Sequence, residues 1–339
     1  MQRFTATKRE LDHADAMRRV FGLIGREMQL VEDEFQRQAA SNIQVINYLG
    51  GYLRASGGKR LRPALLLLTT MACGGDGADP SAIRLATVME MLHTATLVHD
   101  DIIDNADTRR SRASVNARFG NQTAVLMGDW LYMSAFETSL QERSLEILDI
   151  LTNLTRKMTE GELIQLTRIG RLDITEEQYL DILLRKTAYL FSACCEIGAI
   201  IAGSPPDVQE AMRQFGLELG IAFQIADDVL DVTGDSRTLG KTAGSDLLEG
   251  KLTLPLIYLL KAEPGFRGEF EEVMLNGKYD RLTREDLRQT LNEAGVLDAV
   301  RETLNSYVKR SIKSLAVLPG TEYRQCLEDI AAYISERNN

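Results

Sequence analysis

The sequence predicts an all-α protein, and three observations carry that prediction. Apolar residues recur at helical intervals along most of the chain, no strand-like alternation of useful length appears, and two apolar helical runs end in the same acidic pattern, DDxxD. The 339 residues are 44% hydrophobic and 26% charged, an ordinary balance for a soluble globular chain with a sizeable core. We expect one large unit over residues 1–339, with an N-terminal arm over 1–19 and a phosphate-binding loop region over 233–253. The net charge of −10 argues against nucleic acid as the main partner, because phosphate backbones are held by basic surfaces. Cys73, Cys194, Cys195 and Cys326 lack metal-ligand spacing and read as reduced core thiols of a cytoplasmic protein. The N-terminal stretch lacks the apolar core of a signal peptide. The longest apolar stretches, 61–73 and 188–202, are too short to span a membrane or carry Glu196 within them.

In chain order, apolar positions from Val20 to Phe35 and from Ile43 to Leu49 predict two helices over 17–54. GGKRLRP, residues 57–63, then opens an apolar helix over 64–73. Its Pro63 suits a first helical turn, and Gly57 and Gly58 let the backbone approach a ligand. Lys59, Arg60 and Arg62 thereby gather at a helix start, where free N–H groups favour anions, although a basic loop that merely caps the helix has the same composition. After GGDGADP comes the long helix bearing the first acidic cluster, then a turn-rich connection, SRASVNARFGNQ, and a helix from GDWLYM onward. Helical patterns cover 144–167 and 176–203, the second carrying Lys186 and Thr187 near its start. The break GSPPD separates these from a helix running to Asp231, in which Gly216 and Gly220 predict close approach of another helix or a ligand. The following glycine-rich loop holds Lys241 and Lys251, and residues from about 254 onward read as further amphipathic helices.

The chemistry concentrates in HTATLVHDDIIDNADTRR, residues 93–110. On a continuous helix Asp100, Asp104 and Asp107 share one face, with Asp101 about 100° away. Acids so crowded call for positive charge between them, and oxygen ligands with room for water suit Mg²⁺. A single DDxxD is more often a solvated helix face. A second copy at Asp227, Asp228 and Asp231, in FQIADDVLD, again closing an apolar helix, makes surface decoration a poor explanation. Acidic clusters, a basic loop, an arginine pair and apolar helices together imply a diphosphate ligand with an apolar tail, held partly through metal.

GGKRLRP, HDDIIDNADTRR and FQIADDVLD, in that order and spacing, resemble the signature stretches of the trans-isoprenyl (polyprenyl) diphosphate synthases. The resemblance covers roughly residues 20–260 and implies a helical bundle around a central cavity, dimeric, with the two acidic motifs facing each other across its mouth. It implies that Asp100, Asp104, Asp227 and Asp231 bind Mg²⁺, three ions per active site, while Asp101 and Asp228 support them. Lys59, Arg62, His93 and Arg110 would hold isopentenyl diphosphate. Arg109, Lys186 and Lys241 would grip the allylic diphosphate, with Asp100, Asp104, Asp227, Asp228, Lys186 and Lys241 counted as catalytic. Thr187 and Gln224 would line the reacting region, and Lys251 would add a phosphate contact. Ser111 departs from the glycine common after the arginine pair. The implied reaction ionises the allylic C–O bond, joins the isopentenyl double bond to the cation and loses a proton, without a nucleophilic side chain. In this family a bulky aromatic four or five residues before the first aspartate stops the tail. Here Thr96 and Ala95 occupy those positions, implying a product of about thirty to fifty carbons, made in the cytoplasm by a homodimer that touches a membrane surface in passing to release it.

Other readings compete. Shorter products of fifteen to twenty carbons need only a shallower cavity. Glu90-x-x-His93 and Glu10-x-x-His13 satisfy the ExxH pattern of di-iron bundles, but the chain holds just three histidines. A terpene cyclase has no need of GGKRLRP, and non-catalytic partner subunits typically lose acidic motifs that are intact here. His99 reads as a structural histidine, Glu160 and Glu162 as ordinary helix charges, and Trp130 as a core residue.

Overall fold

The computed structural model describes residues 8–55, 57–110, 112–234 and 244–336, with the backbone alone over 8–15. Its fold is all-α, as expected. Three helices, α1 (Lys8–Leu23), α2 (Gly25–Gln38) and α3 (Gln44–Arg54), stand where two were predicted, and α1 extends into the stretch taken as an arm. The break between α1 and α2 is the single residue Ile24, fully buried, which hydrophobic periodicity alone reads straight through.

Helix α4 (Leu61–Ala72) follows Arg60, whose left-handed backbone (φ 49°) turns the basic loop into the helix. Helix α5 (Pro80–Ile103) starts at Asp79, which accepts the Ser81 N–H at 2.8 Å, with Pro80 behind it. It ends earlier than predicted: Asp104 is the cap and Asn105 turns left-handed (φ 50°). Asp107 is therefore off the helix, and the proposed common face reduces to Asp100 and Asp104.

The turn-rich connection contains a short antiparallel pair, β1 (Thr108–Arg109) and β2 (Arg112–Ala113), and the brief helix α6 (Val115–Phe119). Ser111 lies outside the described residues. Helices α7 (Asn121–Ser139) and α8 (Leu145–Leu166) follow. The predicted helix over 176–203 is α9 (Glu176–Leu183) and α10 (Tyr189–Ile201), joined through one π-helical turn, Leu184–Ala188. Such turns add a residue and re-aim side chains, often at functional sites. Helix α11 (Pro206–Thr233) carries the second acidic motif. Beyond it come α12 (Ser245–Leu248), α13 (Leu254–Ala262), α14 (Arg267–Asn276), α15 (Arg284–Glu293), α16 (Val296–Ser314) and α17 (Glu322–Glu336).

Helix α5 packs along α7 and α4, α10 along α11 and α4, and α11 also against α16. The glycines of α11 serve the contact with α10: a Cβ on Gly220 would stand 2.6 Å from the Ala188 Cα, and one on Gly216 would overlap the Phe191 carbonyl. Four free cysteines agree with the reading as thiols, three buried and Cys73 partly so. Among the described residues no helix is long and apolar enough to cross a membrane. Gly216→Val should cost about 1–3 kcal/mol by forcing α10 and α11 apart. A urea midpoint equal to wild type would contradict that packing account.

Candidate active site

The C-terminal end of α5, the π-helical turn, the middle of α11 and the segment after α12 surround one cavity of about 400 Å³. Its wall includes Arg62, His93 and Arg110, then Asp100, Lys186, Asp227, Asp228 and Lys251, with Leu97, Met158, Leu183 and Leu190 as apolar surface. Residues far apart in sequence from both acidic motifs and the basic loop thus meet in a single space. Lys241 lies outside the described residues.

The aspartates occupy different environments. Burial first, then Glu162 and Asp104, push Asp100 up to about 6 against the opposing charge of Lys186. Asp104 accepts the Lys251 ammonium at 2.9 Å, and Glu249 takes the same ammonium at 2.7 Å. Burial opposes that charge, yet the two carboxylates hold Lys251 above its usual range. Asp101 is buried and accepts from Arg109 at 2.6 Å, which ties Arg109 to it. Asp228 is buried and receives the Tyr179 hydroxyl at 2.6 Å and the Gln224 amide at 3.0 Å. The Gln224 carbonyl in turn accepts from Thr187 at 3.0 Å. Burial, then Asp246 and Asp227, raise Asp228 to about 8, while the two hydrogen bonds work the other way. Asp231, expected to hold metal, is buried and takes the Ser245 hydroxyl at 3.0 Å and the Ser245 and Asp246 N–H groups. Asp246, not Asp231, stands on the cavity wall.

Lys186, on the π-helical turn, bonds Glu162 at 2.6 Å and Gln165 at 3.0 Å, so Glu162 is more than the ordinary helix charge first read. His93 is pushed well below its usual range by burial and then by Arg62 and Arg110, which makes it a neutral imidazole. The Arg62 guanidinium lies 5.2 Å from the Phe191 ring centre, and its buried Nε has no hydrogen-bond partner. Arg110 donates to the Gly57 carbonyl, closing the first motif onto the basic loop. Lys59 departs from expectation: it is exposed, absent from the cavity wall, with its ammonium 5.8 Å from the Tyr333 ring centre of α17. Glu90 bonds Arg60 at 2.6 Å and is ringed by further arginines, an environment that repels the second cation a di-iron site needs. Thr96 lines the cavity, whereas Ala95 is fully buried away from it.

An all-oxygen donor set in which burial and like charge raise carboxyl pKa values fits a hard divalent cation. Among the described residues no three His, Cys, Asp or Glu side chains close around a single point. The fit is therefore to an ion that keeps water and phosphate oxygens among its ligands, as Mg²⁺ does.

A family model described as polyprenyl synthetase matches residues 43–293. The chain belongs to this family. As a polyprenyl synthetase it is an enzyme of the prenyltransferase class. It is 35% identical over 316 residues to octaprenyl diphosphate synthase of Escherichia coli strain K12, covering 93% of this chain and 97% of that protein. It is 36% identical over 291 residues to geranylgeranyl diphosphate synthase of Methanosarcina mazei, covering 84% of this chain and 88% of that one. Among solved structures, a polyprenyl synthase from Caulobacter crescentus CB15, complexed with calcium and isoprenyl diphosphate, superposes with a TM-score of 0.89 at 35% identity, covering 95% of this chain and 98% of that one.

Sequence reasoning missed Tyr179, Gln165, Asp246 and the π-helical turn of this synthetase. Tyr179 belongs to no acidic or basic motif, and only its place opposite α11 makes it a partner of Asp228. Tyr179→Phe should destabilise the fold by about 1–3 kcal/mol, because a buried acceptor loses its donor. Urea unfolding of the variant tests this, and an unchanged midpoint would remove Tyr179 from the network.

Proposed function

We propose that this polyprenyl synthetase condenses isopentenyl diphosphate with an allylic diphosphate, head to tail and trans, to build a chain of about thirty to fifty carbons. The observation carrying this reading is the single cavity in which carboxylates from both acidic motifs, flanking cations and an apolar wall converge. Asp100, Asp104 and Asp227 would hold Mg²⁺, three ions to the site as the resemblance implies. Bound there, Mg²⁺ would neutralise charge growing on the leaving diphosphate. Lys186 and Lys251, each already held by a carboxylate, face the same leaving group, with Lys241 expected to join them. Arg62, Arg110 and the neutral His93 would orient isopentenyl diphosphate, His93 donating or accepting one hydrogen bond without adding charge. The Thr187–Gln224–Asp228 chain fixes the amide of Gln224, which with Thr187 would line the reacting region.

The support for a long product is Thr96, a small side chain on the cavity wall where an aromatic would obstruct the tail. Sequence identity does not separate product lengths, being 35% to the octaprenyl enzyme and 36% to the geranylgeranyl enzyme. For assembly we propose a homodimer through α7, whose Val125, Leu126 and Met133 are 41%, 68% and 63% exposed along one side. The free thiols suit a reducing compartment, the cytoplasm.

Purified protein given Mg²⁺, farnesyl diphosphate and labelled isopentenyl diphosphate should yield products of thirty carbons or more by mass analysis. Absence of incorporation with any allylic primer would refute the reaction. Chelation by EDTA should stop turnover and added Mg²⁺ restore it. Asp100→Ala or Asp227→Ala should lower kcat by at least about 10²-fold, the scale for losing one group that stabilises developing charge. Thr96→Phe should shorten the product to fifteen to twenty carbons with kcat for the first condensation little changed; an unaltered chain length would dismiss the Thr96 argument.

A further inference from the structure

Arg168 is a cavity cation that no motif contains. Helix α8 ends at Leu166, and the chain turns back through Thr167 and Arg168, whose N–H groups reach the Leu163 and Gln165 carbonyls at 3.2 and 2.9 Å. The turn is fastened to the segment bearing Lys251: the Gly170 N–H donates to the Gly250 carbonyl at 2.9 Å. The seat is close, since a Cβ on Gly250 (φ 74°) would stand 3.0 Å from the Gly170 nitrogen. Arg168 therefore stands on a fixed turn, beside Gln165 and Lys251, with its side chain on the cavity wall.

Its neighbours are all satisfied. Arg171 pairs with Asp173 at 2.6 Å, Lys186 with Glu162 at 2.6 Å and Lys251 with Asp104 at 2.9 Å. The Arg168 guanidinium makes no hydrogen bond or ion pair with the described residues, and its Nε is buried without a partner. An orphaned buried donor is costly, and one on a charged group more so. Arg62 shows the same buried, unpartnered Nε, at the part of the cavity wall formed with His93 and Arg110. The cavity thus offers two guanidinium donors without a protein partner among the described residues, which a ligand oxygen can satisfy, on elements connected to different groups of cations.

Resting on the prenyltransferase reading above, we propose that Arg168 binds the allylic diphosphate from the turn after α8. Arg168 connects to Lys186 through Gln165 and to Lys251 through the Gly170–Gly250 hydrogen bond, and has no such connection to Arg62, His93 or Arg110. Its planar fork suits two phosphate oxygens at once, which a lysine ammonium cannot reproduce.

The test compares full-length wild type with Arg168→Ala and Arg168→Lys in steady-state kinetics, in calorimetric titration with inorganic pyrophosphate plus Mg²⁺, and in thermal unfolding. Arg168→Ala should raise KM for farnesyl diphosphate at least tenfold, leave KM for isopentenyl diphosphate within twofold, weaken pyrophosphate binding and melt with wild type. Arg168→Lys should recover part of the loss. An unchanged allylic KM, a rise confined to isopentenyl diphosphate, or equal rises in both would overturn the assignment. A wild type without prenyl transfer refutes the reaction reading while pyrophosphate titration still judges Arg168. Equal pyrophosphate affinity in wild type and Arg168→Ala, or none in either, overturns the proposal.

Discussion

The seating of α11 on α10 is the contact on which the catalytic geometry depends. Gly216 and Gly220 remove the side chains that would hold the two helices apart, so the backbones meet along the stretch where α10 emerges from the π-helical turn. One helical turn beyond Gly220, Gln224 is then close enough to accept from Thr187 and donate to Asp228. Lys186 is carried by the same π-helical turn and faces Glu162 on α8. A modest separation of α10 from α11 would pull the lysine, the amide and the second acidic motif apart together.

Charge in this apolar surrounding is held in pairs. Lys186 with Glu162, Lys251 with Asp104, Arg109 with Asp101 and Arg60 with Glu90 each match a cation to a carboxylate on a different element. Breaking such a pair without a replacement partner leaves an uncompensated charge, so these contacts resist random loosening. Arg62 and Arg168, each with a buried Nε that lacks a protein partner, lie on the cavity wall. The distribution distinguishes charges that brace the scaffold from charges held ready for a ligand.

Much of this was legible in the sequence. The all-α class and the helix boundaries around GGDGADP and GSPPD follow from periodicity and turn residues, while the convergence of both acidic motifs was implied by the family resemblance. Periodicity could not reveal where a helix changes pitch: the pattern over 176–203 reads as continuous, and the inserted π-helical turn becomes visible only in backbone geometry. It also extended α5 past Asp104, because Asn105 in a left-handed conformation leaves no hydrophobic signature. The resemblance assigned roles residue by residue, and it could not foresee that Lys59 stands exposed beside Tyr333 or that Asp246 rather than Asp231 reaches the cavity wall. Tyr179 and Arg168 acquire meaning from neighbours 49 residues away in the first case and about eighty in the second, distances over which a single sequence carries no signal.

The bond between Lys251 and Asp104 joins residues 147 positions apart and makes each the other's resident counter-ion. A cation approaching Asp104 competes with the ammonium, and an anion approaching Lys251 competes with the carboxylates of Asp104 and Glu249. Whichever arrives first frees the group that the other needs. Ligands of opposite sign therefore assist one another, and by thermodynamic reciprocity the factor by which one tightens the second equals the factor by which the second tightens the first. A site built this way favours the simultaneous presence of both over either alone, a form of coincidence detection that requires no movement of the surrounding helices.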